Sequence, residues 1–313
     1  MVSDRNIFVI LFKLTIDLIV RARMFRISFL SLVFSFLVIV VTAQDDKKLF
    51  IKRANTAIKI DGILNESDWL EADSAINFFQ QFPFDSSRTV AQTMVKTTYD
   101  DRFIYVGAVC YSKDPSKFVI PSLRRDFFGQ GIDLFAVIFD TYQDVTNAFT
   151  FGTNPAGVQR EGLVAGGGTS FERGGVDFTW DNKWYNEVTI TEDAWVVEMA
   201  IPFKSIRFKE GSKEWNINFY RQDSKENERG HWAGVPRNFM SFALNYHGKL
   251  VWDEPLKKPG ANISVIPYVS DRVSRDFENS GETENQFNIG GDAKIAVTSA
   301  LNLDITINPD FQM

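Results

Sequence analysis

From residue 50 onward, apolar positions fall in short runs separated by turn-forming clusters, which is the pattern of strands rather than of long helices. Ile58 and Ile60 alternate with Lys59, a period of two. Residues 103–109 and 134–139 are apolar on both faces, which predicts central strands covered on each side. Turn chemistry recurs at 83–87, 100–101, 113–115, 129–131, 191–193, 209–212 and 230–238. Residues 71–77 allow at most a short helix, and Lys204-Ser205-Ile206 one helical turn after Pro202. Such spacing predicts an all-β fold built as a β-sandwich. The stretch 154–182 is the longest irregular one. Its Gly166-Gly167-Gly168 and Gly174-Gly175 lack the strand-loop-helix setting of a phosphate cradle, so it is expected to be a mobile surface loop.

The pattern changes near the C-terminal end. Leu301, Leu303, Ile305 and Ile307 face one way, and Asn302, Asp304, Thr306 and Asn308 the other. Phe287, Ile289, Ala293, Ile295 and Val297 form a preceding strand of the same kind, turned at 298–300, and 263–269 is a weaker one before it. Apolar-out, polar-in alternation over about ten residues is the signature of a transmembrane β-strand, and an ordinary half-buried sheet shares it. A barrel needs at least eight strands, so these would be the first strands of a truncated outer-membrane-type β-barrel. The expected division is a leader over 1–43, a sandwich over 44–256, and a linker with early barrel strands over 257–313. Pro255-Leu256-Lys257-Lys258-Pro259-Gly260 supplies the linker.

At the other end, Met24-Phe25-Arg26 followed by the apolar run 27–41 reads as a signal peptide, with Val41-Thr42-Ala43 ahead of cleavage at Gln44. Polar residues 44–48 follow at once, which favours a cleaved signal over a membrane anchor. The upstream run 7–20 is broken by Lys13 and Asp17, so Met24 is the expected start. A net charge of −6 and a pI near 5.2 argue against a nucleic-acid partner, which requires a clustered basic face. The single cysteine, Cys110, rules out an internal disulfide and reads as small core filler.

One local motif stands out. Ile60-Asp61-Gly62 is a strand end and turn; Asn65 is placed to cap a helix whose first turn holds Glu66 and Asp68, and Trp69 goes to a core. Together with three later segments it resembles the family 9 carbohydrate-binding module. The segments are a hairpin over 95–109 turned at Asp100-Asp101-Arg102, the aspartate-bracketed strand 133–140, and Trp195-Val196-Val197-Glu198-Met199-Ala200-Ile201-Pro202. Four motifs in order over about 50–252 carry the resemblance. The end of the chain is similar to a subgroup in which this module precedes a bacterial outer-membrane barrel of uncharacterised function, through residues 301–311 with their Asn308-Pro309-Asp310-Phe311 ending.

The resemblance implies sugar binding by aromatic faces, with polar side chains reading hydroxyls. It places one aromatic ahead of Asp133, where Phe127 and Phe128 lie, and another in a late loop, where Trp232 and Phe239 are candidates. Trp180 is a further candidate, and Trp184 reads as core. Thr150 stands where sugar-binding members carry an arginine. It also implies structural calcium, for which no ligand set is legible. Only His231 and His247 exist, with no His-Glu-x-x-His or paired-cysteine motif, so a zinc enzyme is not expected. Glu161, Glu172, Asp177 and Asp181 around the glycine-rich stretch are the carboxylates a glycosidase would need. Three readings follow: a non-catalytic binding domain for polysaccharide (xylan-like) on an exported outer-membrane protein of a Gram-negative bacterium; a hydrolase acting on O-glycosyl bonds; or a periplasmic accessory domain of the barrel that binds no sugar.

Overall fold

A computed structural model describes residues 17–18, 20–26, 28, 47–114, 118–120, 122–127, 129, 131–170, 175–257, 263–275, 283–296 and 302–308. The chain divides into two compact units, Met1–Asp46 and Lys47–Met313. In the first, the described residues are helical, and no helix among the described residues is long and apolar enough to cross a membrane. The expected cleavage site and most of the apolar run 27–41 lie outside the described residues.

The second unit is built of strands: β1 (Lys48–Arg53), β2 (Ser74–Ala75), β3 (Phe79–Phe82), β4 (Thr93–Tyr99), β5 (Phe103–Tyr111), β6 (Leu134–Asp140) and β7 (Ala148–Thr153). There follow β8 (Gln159–Val164), β9 (Val176–Asp177), β10 (Tyr185–Ile190), β11 (Ala194–Pro202), β12 (Glu214–Asp223), β13 (Glu228–His231) and β14 (Gly248–Trp252). One helix, α1 (Ser67–Glu71), joins them. The strands run in the order β10-β11-β5-β4-β1-β14-β12-β6-β7-β8-β9. β1 is the seam: its first residues pair parallel with β14, and Lys52-Arg53 pair with β4. The sheet therefore curls over on itself, and its two halves share one core in which Val95, Ile104, Val106 and Val197 meet Phe135, Val137, Phe151 and Phe219. Trp215 and Trp252 cross edge-on at 4.8 Å from neighbouring strands β12 and β14, and Tyr99 of β4 meets Trp252 at 4.9 Å across the seam. Geometries of this kind add about 0.5–1.5 kcal/mol per pair beyond area burial.

The doubly apolar strands are covered twice, as their sequence requires. The outer face of β5 lies under Trp69, with Ile58, Ile60 and Leu64 packed around it and Tyr105. β6 turns Leu134, Ala136 and Ile138 to a second core with Phe127, Val176, Phe178, Phe242 and Leu244.

Two local expectations are corrected. Asn65 does not cap α1: the cap position is Glu66, whose carboxylate instead accepts Lys59 N at 3.1 Å. The stretch 154–182 is not one loop, because β8 and β9 lie within it and β8 pairs with β7 along six residues. Polar Arg160 and Glu161 masked the strand; both are buried, Arg160 over the ring of Phe178 at 4.0 Å. The sandwich closes at Leu256, which is buried and exchanges backbone hydrogen bonds with Ser212 and Gly211.

Beyond it a separate three-stranded antiparallel sheet forms, β15 (Ile263–Arg275), β16 (Thr283–Ala296) and β17 (Asn302–Ile307). Its register puts Val265, Pro267, Val269 and Val273 on one face with Phe287, Ile289 and Ala293 of β16 and Leu303, Ile305 and Ile307 of β17. The large apolar side chains of that face are 42–70 % exposed. On the other face Tyr268 lies across Gly290, where a Cβ would come within 2.4 Å of its ring, and its hydroxyl reaches Ile307 O at 3.2 Å.

Candidate functional site

The motif residues assemble around two buried carboxylates. Glu198, wholly buried on β11, accepts Asp61 N at 2.9 Å and Gly62 N at 3.1 Å through Oε2, and Trp69 Nε1 at 3.0 Å through Oε1. Burial raises this carboxyl above its ordinary value, and the three donors oppose that shift. Gly62 sits at φ 78°, where a Cβ would also press on the backbone of Thr189 at 3.1 Å. Asp68 accepts Asn55 N at 2.7 Å and Thr56 N at 3.1 Å, so its charge organises a loop and not the helix start. These positions are the clasp of the fold. Hydrogen bonds to charged groups of this kind are worth about 1.5–3 kcal/mol each.

The bracketing aspartates work the same way. Asp133 accepts Val119 N at 2.7 Å and Ser224 N at 3.3 Å; Asp140 accepts Val145 N at 3.1 Å and Asn216 Nδ2 at 2.7 Å. Among the described residues no group of three or more His, Cys, Asp or Glu side chains is set to hold a metal ion. The described residues thus present no carboxylate cluster of the kind hard cations take.

The four carboxylates around the glycine-rich stretch have separate settings. Glu161 is wholly buried; it accepts from Arg125 Nε at 3.0 Å, Asn182 N at 3.1 Å and Trp184 Nε1 at 3.1 Å. Asp181 is exposed and pairs with Arg125 at 3.6 Å. Asp177 accepts from Thr179 N at 2.9 Å, and Glu172 lies outside the described residues. A cleft of about 380 Å³ opens elsewhere, lined by Tyr111, Lys113, Asp193, Lys225 and Glu226 among others, and Glu161, Asp177 and Asp181 do not line it.

The aromatic candidates divide sharply. Phe127 is buried in the second core and Trp232 in the first, 5.8 Å from Phe219, so neither offers a ring face to solvent. The expectation of both as sugar platforms is corrected: Phe127 belongs to the apolar cover of the sheet's outer face, and Trp232 packs into the core between its two halves. Trp184 is core as expected. Trp180 is half-buried against Phe149 at 5.5 Å and Phe151 at 5.9 Å, and Phe128 lies outside the described residues.

Phe239 is 37 % exposed and pairs with Tyr246 at 4.9 Å. The loop bearing it is tied to β3: Gln81 Nε2 donates to Phe239 O at 2.8 Å, and Ser241 Oγ donates to Gln81 Oε1 at 2.8 Å. Around it lie residues that pattern reading passed over: Phe82 of β3, its register partner Arg229 on β13, and Arg237. Both guanidinium groups lie over the Phe82 ring, at 4.9 and 5.3 Å. The signal available in the sequence was the run Gln81-Phe82-Pro83-Phe84, two aromatics inside a turn cluster.

No family model matches the chain, and no curated protein matches it. Among solved structures it is similar to a family 9 carbohydrate-binding module from Caldicellulosiruptor kristjanssonii in complex with cellotriose, at 14 % identity over 67 % of this chain and 95 % of that one, TM-score 0.47. The same kind of module from that organism in complex with glucose gives 15 % identity over 67 % and 97 %, TM-score 0.47. A protein from Bacteroides uniformis gives 14 % over 66 % and 99 %, TM-score 0.49.

Proposed function

We propose that residues 44–256 are a non-catalytic carbohydrate-binding domain of an exported bacterial protein held at the outer membrane. One observation carries the binding reading. Sugar recognition by this kind of module needs an accessible aromatic in a late loop, and Phe239 is 37 % exposed there, braced by Tyr246, with Gln81 tying its loop to β3. An aromatic face packs on pyranose C–H groups, and the guanidinium of exposed Arg237, two residues away, supplies donors for hydroxyls. The saturated state of Glu161 supports binding over hydrolysis, since a buried carboxylate already accepting from three groups has little capacity left to move protons.

The membrane part of the reading is supported by the tail. Its strands carry one exposed apolar face and one polar face, the arrangement a lipid-facing sheet requires. Plant polysaccharide such as xylan is the proposed ligand class, and structural calcium is proposed with it, turn carboxylates and backbone carbonyls being its natural oxygen ligands.

The test is affinity electrophoresis of the whole chain in non-ionic detergent through gels carrying xylan, cello-oligosaccharide-bearing polymer and microbial glycans. Retardation lost on Phe239→Ala is the expected result. Free migration on every plant and microbial glycan would leave the accessory-domain reading standing instead.

A further inference from the structure

We propose that the glycan taken at the Phe239 surface is anionic, bearing carboxylate or sulfate groups; this rests on the carbohydrate-binding reading above. The chain as a whole is acidic, with 40 Asp and Glu against 34 Lys and Arg. Several other arginines are accordingly spoken for: Arg53 pairs with Asp101, Arg125 with Glu161 and Asp181, and Arg221 with Asp223. Arg229 and Arg237 are not. Among the described residues neither forms an ion pair, although both lie over one ring, that of Phe82. Arg88, which is exposed, stacks on Phe79 at the other end of β3 at 3.9 Å and also lacks a carboxylate partner among the described residues.

The neighbouring carboxylates are held by other donors and form no ion pair with them among the described residues. Glu228 is buried and accepts Gln80 Nε2, Val90 N and Ala91 N. Asp85 accepts Arg237 N at 3.0 Å, which fixes the loop. Arg237 donates one Nη1 hydrogen bond, to Pro83 O at 2.5 Å, and Arg229 donates none within the described residues. Arg237 is exposed and Arg229 half-buried, and most donors of the two planar forks have no partner among the described residues. A guanidinium fork matches the paired oxygens of a carboxylate or sulfate, and stacking on an aromatic pre-organises it at small entropic cost. Phe84, which is exposed, lies two residues after Phe82, and the loop of Arg237 and Phe239 is tied to β3 through Gln81, whose amide donates to Phe239 O. Rings for sugar faces and forks for acidic substituents thus come from the same two segments, 79–84 and 229–239.

The experiment is biolayer interferometry of the whole chain in non-ionic detergent on immobilised polygalacturonate, dextran sulfate and unsubstituted dextran. Binding to at least one anionic polymer is expected to exceed that to dextran, to weaken as NaCl is raised, and to fall about tenfold in the Arg229→Gln/Arg237→Gln double variant. The first two surfaces separate carboxylate from sulfate recognition. Arg237→Glu, a change at an exposed side chain, guards against a folding defect: it should keep the wild-type melting temperature and lose anionic binding further. Anionic binding unchanged in both variants, or equal binding to dextran, overturns the inference. In the second case, if Phe239→Ala abolishes the dextran binding, carbohydrate recognition survives while its anionic character does not. Silence on every polymer here and in the glycan gels rejects both readings.

Discussion

The sandwich and the tail sheet solve the placement of polar and apolar groups in opposite ways. In the sandwich, carboxylates are inside and answered: Glu198, Asp133, Asp140 and Glu228 are buried, each accepting at least two hydrogen bonds. In the tail, apolar groups are outside and unanswered, with Val265, Val269, Phe287, Ile289 and Ile307 all more than 60 % exposed. The two regions have the same secondary structure and similar strand signals. What separates them is whether loops return to cover the second face. In the sandwich they do, at α1 and at 118–132 and 233–247. A covered sheet becomes sensitive to the charge state of what it buries, while a bare one becomes sensitive to its surroundings. Each of the following measurements acts on one region and should leave the other alone.

The largest effect is expected from acid. His231 is wholly buried, its Nε2 facing Ser241 O at 2.8 Å, and burial lowers its pKa to about 3. The unfolded chain binds this proton more readily than the folded one. The histidine's contribution is therefore present above about pH 6.5 and is lost as pH falls toward 3, a ceiling of roughly 5 kcal/mol at 1.36 kcal/mol per unit. Burial raises Glu198 and Asp133, which acts in the opposite sense as pH falls through their folded values. Burial lowers His247 to about 3 as well, so urea midpoints followed by tryptophan fluorescence should drop between pH 7 and 4, and His231→Asn should flatten the slope in part. An equal slope in that variant would remove His231 as the cause. The tail strands, carrying no histidine, should keep their β-sheet signal in detergent over the same range.

Next comes the clasp. Trp69→Ala should cost about 3–5 kcal/mol, the usual penalty for truncating a buried aromatic, and more if the Glu198 carboxylate is left short of a donor. Trp69→Phe sharpens this: it keeps most of the ring but removes Nε1, and should cost about 1–3 kcal/mol. Denaturant midpoints near wild type for both would place Trp69 outside the core.

Much of the covered region was legible. The hairpin at 95–109, the doubly apolar strands β5 and β6, the core positions of Trp69, Trp184 and Cys110, and the β11 strand running into Pro202 follow from periodicity and turn chemistry. Illegible were features set by long-range partners. Arg160 and Glu161 look like loop residues until Phe178, Arg125 and Trp184 arrive to bury them. Phe127 and Trp232 look available until the loops that hide them are in place. The arginine pair on Phe82 depends on β3 pairing with β13, more than a hundred residues away, a register no local pattern encodes.

The smallest effect on the sandwich, and the most decisive for the comparison, should come from removing the tail. Strands β15 and β17 are the edges of a three-stranded sheet whose apolar face is open to solvent. In water such edges and faces recruit other chains. The whole chain should elute as aggregate without detergent, whereas a chain ending at Lys257 should elute as a monomer. Its sandwich stability should change by no more than about 0.5 kcal/mol, since Leu256 already closes the sandwich. Leu303→Asp with Ile305→Asp tests the cause, because charges on that face should restore solubility without altering the melting of the tryptophan core. Should the whole chain instead run as a clean monomer with slow amide exchange in β16 and β17, the apolar face is covered in solution, and the contrast between the two regions fails.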